Sequence, residues 1–397
     1  MSCPLGDKKG RSADSSDLTR LHRETADLAA YITYTELDDK TKLKEQISAD
    51  SNFSLTRGGL TLLADSTVGF TRNPVTGAIV YPPYSGQTAS SSTTTRPLKW
   101  LAGGNALAYS YDGITWTRLD ISSIMSIIFR IASNGTRWVA AGGYPNSLVY
   151  SSDGLTWIPS TNGNDILGDV GYAVAWNGTR WVAGGEYYAG NSLAYSSDGI
   201  TWQASANGNS LFNYVSALAS NGTRWVAGGY GTYTLAYSFD GITWFPSPNG
   251  TGLIDGGVFG IAWNGTRWVA GGASGTQTLI YSSDGINWQA TANGKALTGG
   301  EVIFAVAWNG TIWLAGSQVG APLTNAIIYS YDGITWHPSE NGNDIFSRVN
   351  ALAWDGTRWV GGGSGTNSLA FSADGITWIA SPNGNDVMST VLAVAAK

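Results

Sequence analysis

The chain has 397 residues with 53 Gly and 18 Trp, only 13% charged residues and a net charge of −6. Abundant tryptophan excludes a disordered chain, and the shortage of clustered Lys and Arg argues against nucleic acid or an anionic membrane as the main partner. The lone Cys3 excludes an intrachain disulfide framework, and no apolar run reaches the length of a membrane span or of a signal-peptide core.

Residues 1–95 form an N-terminal arm of different composition, with no tryptophan before Trp100 and 12 of the 22 Lys and Arg by Lys99. Leu18, Leu21, Leu28 and Ile32 have helical spacing interrupted at the polar Thr25, and Lys42 to Ile47 predicts a second helical piece. Leu60 to Tyr84 reads as short strands around Asn73-Pro74, and Ser85 to Thr95 as a polar linker. The arm is thus a mixed helical and β extension whose helix docks on a partner or on the rest of the chain.

From residue 96 onward a repeat dominates. YSSDGITW and its variants occur seven times, with aspartates at Asp112, Asp153, Asp198, Asp240, Asp284, Asp332 and Asp374, at intervals of 41, 45, 42, 44, 48 and 42 residues. That is the length of one four-stranded propeller blade. NGTRWVAGG and its variants begin at Asn134, Asn177, Asn221, Asn264, Asn309 and Asp355, one copy fewer. Within Gly171 to Ser205 the pattern predicts four strands: Tyr172 to Trp176, Arg180 to Gly184, Ser192 to Ser196 and Ile200 to Ser205. The Asn-Gly pair is expected to supply both central residues of the first hairpin.

The missing hairpin follows from closure. Lys99 to Gly104 matches a second strand with no first strand before it, and Val391 to Ala396 matches a first strand such as AVAW. The prediction is an all-β, seven-bladed β-propeller over residues 96–397, its first blade completed by the C-terminal strand. Alanine-rich first strands suit a crowded axis, and Trp176, Trp181 and Trp202 are expected to stack between neighbouring blades.

The SSDGITW box resembles the Asp-box, or BNR repeat, of sialidases and other propellers, whose pattern is Ser-x-Asp-x-Gly-x-x-Trp. It matches the serine, aspartate, glycine and tryptophan, with one residue fewer between Asp and Gly. The resemblance covers about residues 99–397 and implies the propeller fold, with each box between the third and fourth strands. Boxes of this WVAGG…YSSDGITW kind are also similar to repeat proteins of large DNA viruses, which implies a virion-associated role.

The box aspartates read as structural, each accepting N–H bonds in its own turn. Arg137, Arg180, Arg224, Arg267 and Arg358 follow the first turns on the box side and read as local pairing or stacking cations. Sialidases need a Tyr/Glu nucleophile pair, an acid/base aspartate and three arginines on the opposite face, and no such cluster is legible. His22 and His337 are the two histidines, so no multi-histidine metal site is expected, and no cofactor motif is present.

A partner is expected on the face opposite the boxes, where the loops between second and third strands diverge. The candidates there are Tyr144, Glu186, Tyr187, Tyr188, Tyr230 and Tyr233. The loops from fourth to first strands keep an NGND-like turn at Asn162, Asn207, Asn249, Asn293, Asn341 and Asn383. The function expected is a non-enzymatic interaction protein held in an assembly by its arm, with a glycan-binding lectin as the alternative and a sialidase-like glycosidase behind it.

Overall fold

The computed structural model describes residues 98–397 apart from 189, 274 and 321–323, together with four short strands nearer the N-terminus. Chain contacts divide the molecule into Met1–Thr93 and Thr94–Lys397. In the first unit Phe53–Thr56 pairs antiparallel with Gly59–Leu62, and Thr71–Arg72 with Ile79–Val80. The helices expected around Leu18 to Ile32 and Lys42 to Ile47 lie outside the described residues.

The second unit is a seven-bladed β-propeller. Each blade is a four-stranded antiparallel meander, its strands called a to d from the axis outward. In blade 3 these are Gly171–Trp176, Trp181–Gly185, Leu193–Ser196 and Gln203–Ala204. The fourth strand is shorter than its sequence suggests, because the Asp198 carboxylate takes the N–H groups of Ile200 and Thr201 at 2.8 and 2.9 Å. A ladder cannot use those donors as well. The d–a loops also hold a single helical turn, such as Gly163–Leu167 or Gly384–Val387, where the sequence suggested a plain turn.

Blade 1 draws on both ends of the repeat region. Val391–Ala396 is its strand a and pairs with Trp100–Gly104, with Ala396 opposite Trp100 and Val391 opposite Gly104. The Lys397 N–H donates to the Lys99 carbonyl at 2.9 Å, where other blades have their a–b turn. In those turns the glycine alone fills the special position: Gly178 has φ 101° and comes first of the two central residues. Asn177 precedes it, and its side-chain oxygen accepts from the N–H groups of Thr179 and Arg180 at 3.0 and 2.7 Å. The pair is therefore offset by one residue from the expected placement.

Seven buried apolar clusters hold the ring, one per seam between blades. At the seam of blades 2 and 3, Trp181 and Trp202 pack on Val139, Leu148 and Leu167 of the preceding blade. Trp176 departs from expectation: its ring meets Trp181 of its own blade across the a–b turn, at 5.1 Å.

Polar latches reinforce the seams. Asn162 accepts the Trp202 N–H and donates to the Trp202 carbonyl, both at 2.9 Å, joining a d–a loop to the outermost strand of the next blade. Asn207, Asn249, Asn293, Asn341 and Asn383 repeat the pairing with Trp244, Trp288, Trp336, Trp378 and Trp116. The NGND motif is thus a connector between blades. Arg137, Arg180, Arg224, Arg267 and Arg358 each donate to the carbonyl of the next blade's box aspartate while lying over an aromatic ring of their own blade. Blade 6 has Ile312 there. In blade 1 the equivalent Lys99 instead pairs with Asp355 at 2.7 Å.

The box itself is a closed hydrogen-bond unit. Ser196 donates to Asp198 at 2.9 Å and accepts the Gly199 N–H at 2.8 Å. Gly199 has φ 73°, and a Cβ on it would lie 2.9 Å from Val139 and 3.1 Å from the Trp181 indole nitrogen. All seven box aspartates are held below the usual carboxylate range. At Asp284 burial acts to raise the pKa, but bonds from Asn287, Ile286 and Ser282 outweigh it and bring it down to about 2.

A depressed folded-state pKa stabilises the fold above the unfolded value of about 3.9, and that stability is lost as pH falls through the folded value. Urea midpoints should therefore be level from neutral pH to about 5 and fall between about 4 and 2. Asp284→Asn should shallow that fall. A collapse already complete above pH 5 would assign acid sensitivity to other groups.

Candidate functional site

The position of the candidate face is set by strand direction. Each strand a leaves a d–a loop and runs toward the a–b turn, so its first residues lie at the face opposite the boxes. At the second residue of the shared pattern every strand a carries a β-bulge, centred on Leu392, Phe129, Tyr172, Ser216, Phe259, Phe304 and Asn350 in blades 1 to 7. A bulge re-aims one side chain out of the pleat. Seven of them ring the axis at one level, and there the repeat loses its regularity: Leu, Phe, Tyr, Ser, Phe, Phe, Asn.

The aromatics among them form arcs around the mouth of an axial channel. Phe129 meets Tyr172 at 5.2 Å, Tyr172 meets Tyr214 at 5.7 Å, and Tyr214 stacks on Tyr230 at 5.9 Å and 28°. On the other side Phe259 meets Phe304 at 5.9 Å, and the Arg348 guanidinium lies 3.8 Å over the Phe304 ring. Nε of Arg348 donates to Asn350 at 2.6 Å, and Asn350 donates to the Val391 carbonyl at 2.8 Å. Below the bulges lies a cavity of about 120 Å³, lined from different blades by Arg130, Leu218, Phe259, Phe304, Asn350 and Val394 among others.

Of the candidates from the sequence, Glu186 and Tyr230 join this constellation. The Tyr172 hydroxyl lies 3.3 Å from Glu186 Oε2. Burial first, then the Glu186 carboxylate, pushes the Tyr172 phenol up; burial, Tyr230 and Glu186 do the same for Tyr214. Tyr187 and Tyr188 form an exposed pair 5.1 Å apart, anchored by the Tyr187 N–H on the Asn213 carbonyl at 2.7 Å. Tyr144 is 75% exposed near the end of strand b of blade 2, Trp138–Pro145, and makes no ring contact with the others. Tyr233 packs against the seam of blades 3 and 4. The box aspartates stand apart from one another on the opposite side, each oxygen Oδ1 occupied by its own turn.

Sequence reasoning missed Phe129, Arg130, Tyr172, Tyr214, Phe259, Phe304 and Arg348. Phe129, Tyr172, Phe259 and Phe304 share the hypervariable column at the bulge, while Arg130, Tyr214 and Arg348 stand one or two residues from it. The Tyr172–Glu186 pair is also a correction, since no Tyr/Glu pair was legible on this face. Burial and the adjacent carboxylate hold the Tyr172 phenol above its usual range. Among the described residues, no group of three or more His, Cys, Asp and Glu side chains comes together, and no helix is long and apolar enough to cross a membrane.

Blade count, meander order and closure make the chain a seven-bladed β-propeller with an aromatic channel mouth on its loop face. No family model matches the chain, and neither does any curated protein. Among solved structures it is similar to YCF48 bound to D1 peptide, at 16% identity over 67% of this chain and 85% of that one, with a TM-score of 0.49. YCF48 from Cyanidioschyzon merolae is also 16% identical, over 72% and 91% of the two chains, with a TM-score of 0.48. A putative 6-phosphogluconolactonase from Bacteroides uniformis is 13% identical over 76% and 99%, with a TM-score of 0.49.

Proposed function

We propose that the chain is a non-enzymatic binding module that docks a protein partner on its loop face, while residues 1–95 tie it to a larger assembly. The observation that carries this reading is the breakdown of the repeat at one place: a mouth lined by half-buried aromatics with an arginine stacked among them. Aromatic and arginine side chains give large contact area at little entropic cost and dominate interface energetics. The uniform boxes on the other side offer no comparable feature. A virion is one setting for such an assembly, by the similarity of the repeats to viral proteins.

The test compares variants of the full chain in cross-linking and pull-down from the native source. Tyr188→Ala with Arg348→Ala should weaken capture of the partner about 30-fold or more, the effect of losing hot-spot contacts worth 2 kcal/mol. Tyr331→Ala, 64% exposed on the box side, should leave capture intact. Deleting residues 1–95 should release the assembly but leave the face competent. Unchanged capture by the double variant would remove the face from the reading, and saturable binding on a glycan array would move it to a lectin. Hydrolysis of a fluorogenic sialoside would replace it with a glycosidase.

A further inference from the structure

Directly after its bulge, strand a carries Ala173, Ala217, Gly260, Ala305, Ala351 or Ala393 in six blades. The position is crowded: a Cβ on Gly260 would stand 2.8 Å from the Val306 nitrogen of the adjacent strand. Blade 2 places Arg130 there. Its side chain runs across the axis rather than between strands. Nη1 donates to the carbonyls of Phe129 at 2.8 Å and Leu392 at 3.1 Å, and Nη2 donates to the Phe259 carbonyl at 3.0 Å. One side chain therefore spans blades 2, 1 and 5.

The bonding leaves a charge uncompensated. A guanidinium has five N–H groups, and three are used, all on neutral carbonyls. Nε–H and one Nη2 hydrogen have no acceptor among the described residues, and the ion pair found among those residues, Lys99–Asp355, lies elsewhere. Burial lowers the Arg130 pKa to about 10, so the group stays protonated at neutral pH. It lines the cavity of about 120 Å³, whose other walls combine the side chains of Ile131, Leu218, Ile261 and Val306 with strand backbone and Asn350. Arg130 is partly buried, and a cation drawn out of bulk water without a counter-charge is costly, with carbonyl dipoles offsetting only part of that cost.

We propose that the axial cavity is a binding site for one small monovalent anion, held by the free N–H groups of Arg130. The single guanidinium sets the charge class, and a space that holds several waters has room for a halide with its remaining hydration. Asn350 has a second amide hydrogen to offer from the same wall. The cation that builds the site lies beneath the bulges, and Phe259, Phe304 and Asn350 are shared with the mouth above it.

The test uses the full chain at constant ionic strength, with chloride or bromide exchanged for gluconate, a bulky polyhydroxy carboxylate. Halide should raise the thermal midpoint saturably above its value in gluconate, as a ligand bound to the native state must. Arg130→Ala, which restores the residue type of the other blades, should abolish the halide-specific rise, and so should Arg130→Gln, which keeps bulk but no charge. Crystals grown in bromide should give an anomalous peak within hydrogen-bond reach of the guanidinium. Superimposable curves in halide and gluconate, a halide response retained by both variants, or bromide-soaked crystals with no axial peak would each overturn the proposal.

Discussion

A chain ending at Thr390 should fail to form a cooperative propeller, while the full chain unfolds in a single transition. The lost segment contributes Val391, Ala393, Val394 and Ala395, all less than 10% exposed. These residues are split between two seams: Ala393 and Ala395 pack toward blade 2, and Val391 and Val394 toward blade 7. Removal also strips the ladder from Trp100–Gly104 and takes away the carbonyls that accept Arg130 and Asn350. What remains is an unpaired, apolar strand at the axis, the kind of edge that aggregates. Urea unfolding followed by tryptophan fluorescence should show a broad, early transition, and a synthetic peptide of residues 388–397 should restore the sharp one. A milder version is Val391→Asp, which puts a charge at a fully buried position and should cost several kcal/mol, of order 3–5. Wild-type cooperativity in the truncated chain would mean that blade 1 closes some other way.

The closure was legible because it is a counting argument: seven boxes against six hairpins leaves a first strand missing at the start of the repeat and a spare one at its end. Periodicity of two along strands and blade-length spacing of the boxes carried the rest of the ring. Finer features lay beyond that grammar. The contraction of strand d depends on the Asp198 carboxylate outcompeting the ladder for two N–H groups, and sequence patterning does not weigh those alternatives. The asparagine latches needed knowledge of which residue stands opposite across a seam. Asn162 and Trp202 are far apart in sequence, and only the ring brings them together.

The candidate site was legible in part for a related reason. Loop tyrosines are conspicuous, so Tyr230 and Glu186 were found, and so was Tyr144, which stands alone. The residues that line the mouth sit inside strands, where a repeat invites the eye to average. Phe129, Tyr172, Phe259 and Phe304 replace one another at a bulge, and a bulge is a property of pairing between strands, invisible in either strand by itself. Arg130 was overlooked because five other arginines recur at a fixed place in the blade. The informative arginines, Arg130 and Arg348, stand outside that repeated place.

Trp181→Ala should cost about 3–5 kcal/mol, the range for emptying a buried aromatic site. The indole is fully buried, lies against Val139, Leu148 and Leu167 of blade 2, and sits beneath Gly199 of its own box. Its loss therefore opens a cavity shared by two blades, and the Gly199 turn loses the surface it rests on. Trp176→Ala should cost less, because that ring is only half-buried and touches its own blade. The two rings meet at 5.1 Å, so a double-mutant cycle should give a coupling of about 0.5–1.5 kcal/mol. Trp181→Phe separates packing from hydrogen bonding. The buried indole N–H of Trp181 has no acceptor, so phenylalanine forfeits volume but no bond and should retain more than half of the stability lost in alanine. Urea midpoints of the four proteins decide the matter. If Trp181→Ala moves the midpoint no further than Trp176→Ala does, then the strength of the ring lies within the blades, and the seam between them is not what holds it closed.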